Sequence, residues 1–375
     1  MLQLERLVLR EIRLPLREPF RISSGEMRER RILLCELFDA RGASAWSECV
    51  VDDAPNYSPE TVDTAWPIIT RFLAPRLLGR AVAGPGEVLA LLDADVRGHN
   101  MAKAALEMGC WAVAAVQAGQ PLARFIGGTR DRIATGISLG IQRDIPTLVA
   151  KASAAVDAGY QKVKIKIAPG RDVEWVAAVR AAVGDAAHLM ADANNAYTLD
   201  DADRLASLDD LGLMMIEQPL AWDDLVRHAE LQKRLRTPLC LDESITSLDR
   251  ARDMVTLGAG RIINIKPGRV GGFAPALSIH DFCESVGVPV WCGGMLESGV
   301  GRAYNVALAS LPNFTLPGDL SPSARYWTQD IVTPEWTMDG EGMVRVPLDA
   351  PGIGVDVDRA RVERLTVRAE ELRAP

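Results

Sequence analysis

Leu189-Met190-Ala191-Asp192, Met214-Met215-Ile216-Glu217, Leu239-Cys240-Leu241-Asp242 and Ile262-Ile263-Asn264-Ile265-Lys266 are apolar runs, each closed by a charged residue. Asp192, Glu217 and Asp242 follow one another at intervals of 25 residues, and Lys266 comes 24 after Asp242. Such an interval holds one strand, its loops and one crossover helix, as a parallel βαβ connection requires. Working outward, runs of the same kind lie at 133–139, 162–167, 188–193, 214–218, 239–243, 262–267, 289–292 and 314–317, with helical spacing between them. Eight strands alternating with helices predict a closed parallel barrel of the (β/α)8 type across residues 129–320.

The flanking segments read differently. In residues 1–128, alternation such as Arg31-Ile32-Leu33-Leu34-Cys35-Glu36-Leu37 predicts antiparallel strands, and helical spacing follows from about 58 to 120, so an α+β domain is expected. Residues 321–375 lack helix–strand alternation and are expected to return to that first domain. Phe20-Arg21-Ile22-Ser23-Ser24-Gly25 joins two strand-like runs with small residues, which suits an ordinary hairpin loop or a lid over a site.

Bulk composition narrows the function classes. Of 375 residues, 48% are hydrophobic and 25% charged, the balance of a soluble globular protein. The net charge of −8 is dispersed, which argues against nucleic acid or an anionic membrane as partner and for a small molecule. The first residues carry charge where a secretory signal needs an apolar run, and the longest apolar stretch, 101–119, contains Lys103 and Glu107 and reads as a buried helix. A cytoplasmic protein is expected. The six cysteines are dispersed without a C-x-x-C pair and read as reduced core residues.

Barrel enzymes build their chemistry at the C-terminal ends of strands. Asp192, Glu217 and Asp242 would stand there at one level on neighbouring strands, where three bare negative charges repel and call for a cation. Oxygen-only ligation favours Mg²⁺ or Mn²⁺. The competing account, that each carboxylate caps its following helix, serves one residue better than three evenly spaced ones. Glu243 is expected to point away from its neighbour, as a supporting or helix-start residue.

Lys162, Lys164 and Lys166 share one face of the second run, and Lys266 closes the sixth. Strands two and six of eight face each other, so Lys166 and Lys266 would flank a substrate held between them. Acting as a base near neutrality requires a lysine to lose about three units from roughly 10.4, about 4 kcal/mol. One like charge at about 4 Å in an effective dielectric near 20 supplies that; Lys164, the metal and Arg269 are candidates. The alternative is that the lysines only pair with the carboxylates. Lys162 reads as structural, and His99, His188, His228 and His280, which close no run, read as structural or surface residues. Carboxylates for a metal and opposed lysines for a proton together predict abstraction of the proton next to a carboxylate.

Asp192-Ala193-Asn194, Glu217-Gln218-Pro219, Asp242-Glu243-Ser244, Asn264-Ile265-Lys266-Pro267-Gly268-Arg269-Val270-Gly271-Gly272 and Gly293-Gly294-Met295-Leu296-Glu297-Ser298-Gly299-Val300-Gly301-Arg302 resemble the enolase superfamily in its muconate-lactonising subgroup. Within it the chain is most similar to the o-succinylbenzoate synthase and N-acylamino acid (N-succinylamino acid) racemase group. The resemblance implies an α+β capping domain on a modified (β/α)7β barrel, with a lid near 20–25. It implies a Mg²⁺ enzyme, a homo-oligomer, in which Asp192, Glu217 and Asp242 hold the metal, Lys166 and Lys266 are bases and Lys164 stands beside the substrate carboxylate. Phe20, Ser24, Ser138, Asn194, Arg269, Gly294, Met295 and Asp319 are the implied substrate contacts. The single aspartate in Pro317-Gly318-Asp319 counts against dipeptide epimerisation. Racemisation of acylated amino acids and dehydration to o-succinylbenzoate, a step of menaquinone synthesis, begin with the same proton removal. Racemisation alone needs two bases, and a guanidinium of Arg269 near Lys266 would lower that lysine's pKa and favour it. Another cycloisomerase of the subgroup, or a non-catalytic binding protein, stays open.

Overall fold

The computed structural model describes residues 1–22 and 25–375. Three strands, β1 (Leu2–Ile22), β2 (Gly25–Asp39) and β3 (Ser44–Cys49), form an antiparallel sheet, and the C-terminal strand Thr366–Arg373 pairs with β1 on its other side. The arms of β1 and β2 stay paired to Phe20↔Met27 and beyond, so Phe20 belongs to a hairpin arm; Ser24 and the centre of the expected lid lie outside the described residues. Leu7, Leu9, Ile12 and Leu14 of β1 are buried. Helix α1 (Asn100–Gln117) packs on β2 and β3, and Gly109 permits the approach: a Cβ there would lie 2.6 Å from Leu37 Cδ1.

Lys103 and Glu107 interrupt the apolar composition of α1 because both have partners inside. Lys103 Nζ lies 2.6 Å from both Asp93 Oδ1 and the Val96 carbonyl. Glu107 accepts from the Phe273 and Ala274 N–H groups at 2.7 and 2.9 Å, so α1 caps the barrel helix Phe273–Ser285. Among the described residues no helix is long and apolar enough to cross a membrane. All six cysteines are buried and unpaired.

The barrel strands are β4 (Gly136–Leu139), β5 (Lys162–Lys166), β6 (Leu189–Asp192), β7 (Ile216–Glu217), β8 (Leu239–Leu241), β9 (Ile262–Ile265) and β10 (Val290–Cys292). They form one parallel sheet in chain order. The eighth run departs from expectation. Segment 314–317 forms no regular strand, and the ring closes through the single bridges Val290↔Phe314 and Thr135↔Gly318. Pro317 has no N–H to donate to a ladder, which accounts for the interruption. The first run also divides: Arg132–Ala134 pairs antiparallel with Met343–Arg345, and only Gly136–Leu139 enters the barrel. Met190, Met215, Cys240, Ile262 and Trp291 form a core cluster of their own, with Lys162 Nζ 3.5 Å from the centre of the Trp291 ring.

Candidate active site

Strand register sets the level of the site. Lys166 pairs with Asp192 and Asp192 with Glu217 across β5, β6 and β7, while Asp242 and Lys266 are the first residues beyond β8 and β9. None of the three carboxylates caps a helix. The helices after β5, β7 and β8 are capped by Asp172, Asp224 and Ser247, and the turn after β6 by a Thr198–Asp201 box. The strand-end acids are therefore free for other work.

Each meets a cation. Lys166 Nζ is 2.6 Å from Asp192 Oδ2, and Lys164 Nζ is 3.0 Å from Glu217 Oε2, 3.3 Å from Asp192 Oδ2 and also bonded to Asp319. Lys266 Nζ is 2.8 Å from Asp242 Oδ2, and Arg269 binds the other oxygen of Asp242. Asn264 Nδ2 donates to Glu217 Oε1 at 2.7 Å. Burial works to raise Asp192, but Lys166 and Lys164 outweigh it and hold this acid below the usual carboxylate range. Glu217 is pushed up to about 7, first by burial and then by the charge of Asp192. Burial would lower Lys266, yet Asp242 and Tyr57 outweigh it and hold this lysine above its ordinary value.

Arg269, read from the sequence as the group that lowers Lys266, shares Asp242 with it, one cation on each carboxylate oxygen. Both cations lie on Asp242, and the nearer carboxylate governs the lysine. Arg269 also donates to the carbonyls of Ile245 and Asn264 at 2.7 and 2.5 Å, which anchors it behind Asp242. Among the described residues no three acid, histidine or cysteine side chains close round one point as a finished cage; ammonium groups stand among the carboxylates. The donor chemistry nevertheless fits a hard divalent ion: all oxygens, all buried, with Glu217 raised by burial and then by its two acidic neighbours.

A cavity of about 460 Å³ opens above these groups, between the antiparallel sheet and the barrel mouth. Lys166 and Lys266 both line it, as do Phe20, Asn194, Gly294 and Met295. The neighbouring glycine makes room: a Cβ on Gly293 would lie 2.6 Å from Lys266 Cε. Ser138, Arg269 and Asp319 are absent from its wall. Ser138 Oγ is buried without a hydrogen-bond partner, and Asp319 sits under Lys164 with Lys162 3.1 Å away.

Three participants carry no strand-closing signal. Tyr57, from the loop after β3, places its ring 4.3 Å from Lys266 Nζ, donates to Asp242 Oδ1 at 2.9 Å and accepts from Arg269 at 3.0 Å. Gln218, at φ +39°, accepts from the Asp242 and Ser244 N–H groups at 3.0 and 3.2 Å and so shapes the turn that presents Asp242. Glu297 accepts from the Met295 N–H at 2.8 Å and fixes that wall. Gln218 and Glu297 lay within quoted motifs; nothing in local sequence marked Tyr57. Two of the histidines have structural contacts: His228 accepts from the Leu220 N–H, and His280 stacks on Phe314.

Two family models match the chain, one described as "Mandelate racemase / muconate lactonizing enzyme, N-terminal domain" over residues 5–127 and one as "Enolase C-terminal domain-like" over 147–361. The chain belongs to the enolase superfamily. An o-succinylbenzoate synthase of Geobacillus stearothermophilus is 50% identical over 365 residues, covering 97% of this chain and 96% of that one. An N-succinylamino acid racemase of an Amycolatopsis species is 48% identical, covering 92% and 93%. A solved enolase superfamily structure from Listeria innocua superimposes with a TM-score of 0.96 at 40% identity over 100% of both chains. Together with these relatives, the superfamily assignment makes the chain a racemase or lyase, with the capping sheet and barrel described above.

Proposed function

We propose that this enzyme removes the proton next to the carboxylate of N-succinylamino acids and of the precursor of o-succinylbenzoate, with Lys166 and Lys266 as its two bases. The observation that carries the reading is that both lysines line one cavity, from β5 and from the end of β9. Relatives bearing the two activities stand at nearly equal identity, which supports one site serving both. Asp192, Glu217 and Asp242 are the residues to hold a divalent ion, Mg²⁺ by the hardness of their oxygens. Bound there, the ion would supply positive charge against the developing carbanion and, by taking up Asp242, would remove the carboxylate that holds Lys266 in its charged form.

Each base works on its own side of the substrate carbon. One lysine takes the proton and the other returns one from its own side, which inverts the centre; for dehydration, one suffices as base. Lys164, buried with Asp319, adds a fixed positive charge beneath the substrate carboxylate. Phe20 and Met295 give the cavity apolar walls for the acyl chain and side chain. The test is incubation of the protein with Mg²⁺ and N-succinyl-L- and -D-phenylalanine in D₂O, followed by proton NMR. Exchange of the α-proton of both enantiomers is expected, and absence of exchange with any N-succinylamino acid overturns the reading.

A further inference from the structure

Glu243 was expected to point away from Asp242 as a supporting or helix-start residue. It starts no helix, since the next one begins at Leu248 under a Ser247 cap. Its side chain is buried, and Oε1 accepts from Asn195 Nδ2 at 3.1 Å and from Asn194 Nδ2 at 3.4 Å, while Oε2 has no partner. Both asparagines have left-handed backbone, with φ of +40° and +62°, so the turn after β6 presents their amides together. The other end of the Asn194 amide faces the cavity, where Oδ1 accepts from Lys166 Nζ at 2.6 Å.

The two ends of a side-chain amide have the same shape and opposite hydrogen-bonding roles. An acceptor at the Glu243 end favours the NH₂ group there and so the carbonyl toward the lysine. Among the described residues Lys266 has no such link; its contacts there are Asp242 and the Tyr57 ring. We propose that Glu243 is a positioning residue for Lys166, orienting Asn194 so that its carbonyl holds the ammonium on one side of the cavity. The inference rests on the two-base reading above and adds a one-sided effect to it.

The experiment measures α-proton exchange in D₂O separately for the two enantiomers of N-succinylphenylalanine. The enantiomer served by Lys166 is identified as the one whose exchange disappears in Lys166→Ala. Glu243→Met removes the acceptor and is expected to slow that enantiomer's exchange tenfold or more while the other stays within threefold. Glu243→Gln can still present a carbonyl to the asparagines and is expected to restore most of the lost exchange. Where the methionine variant is not recovered folded, Glu243→Ser provides the same comparison. Equal slowing of both enantiomers, or none of either, overturns the proposal. A wild-type protein that exchanges neither enantiomer would instead overturn the two-base reading.

Discussion

Lys166 and Lys266 each rest on one strand-end carboxylate, but their remaining contacts differ: an asparagine carbonyl for Lys166, an aromatic ring for Lys266. Lys166→Ala and Lys266→Ala are each expected to lower racemisation by about 10²–10⁴-fold, the usual contribution of a positioned base. Each should leave exchange of one enantiomer only, and the two variants should spare opposite enantiomers, as read by NMR in D₂O. Arg269 supports Asp242, so Arg269→Gln is expected to cost about 10–100-fold in Mg²⁺ affinity or turnover. Calorimetric titration with Mg²⁺ beside steady-state rates checks it, and unchanged values in both would remove Arg269 from the site's support. The strand-closing rule could find Asp192, Glu217, Asp242, Lys166 and Lys266 because barrel geometry ties position along a strand to position in the site. It could not find Tyr57, since a loop residue reaches the site through a long-range fold contact that local periodicity does not encode.

Strands and helices were legible to the extent that their partners were local. Seven of the eight apolar runs contribute strands to the barrel sheet, because a parallel strand covered by helices reads as a short apolar run regardless of its neighbours. The run at 133–139 could not reveal that Arg132–Ala134 takes a distant partner, and the run at 314–317 kept its apolar character while Pro317 interrupted its ladder. Helix α1 shows the energetic side of element packing. Its Gly109 lies where a methyl group would meet both Leu37 methyls at 2.6 and 2.9 Å. Gly109→Ala gains helix propensity of about 1 kcal/mol, yet overpacking costs about 1–3 kcal/mol. A net loss of stability, or none, is therefore expected from urea unfolding. A gain approaching the full propensity term would show that Leu37 moves aside freely.

At the scale of the whole molecule, the cavity exists only while the antiparallel sheet and the barrel hold together, since Phe20 comes from the sheet, Tyr57 from the loop that follows it and the lysines from the barrel. Buried acids make that attachment. Glu107 of α1 caps Phe273–Ser285, and Glu48 of β3 accepts from the Ser298 hydroxyl at 2.5 Å and from the Ser298 and Gly301 N–H groups at 3.2 and 3.0 Å, at the start of the helix Gly299–Ala309. Burial pushes Glu48 up to about 8 and Glu107 up to about 7 from an ordinary 4.5. Between those values the folded chain binds a proton that the unfolded chain has released, so each group's contribution to stability falls as pH rises. The slope is at most about 1.4 kcal/mol per pH unit for each such proton. Below pH 4.5 both states are protonated and the term is flat. Glu48→Gln cannot ionise, so its unfolding free energy should fall less steeply than wild type between pH 5 and 8, even where the amide weakens the cap and lowers stability at pH 5. Urea titrations of both proteins at pH 5, 6, 7 and 8 measure the difference, and parallel slopes would mean that the cap holds Glu48 ionised across that range.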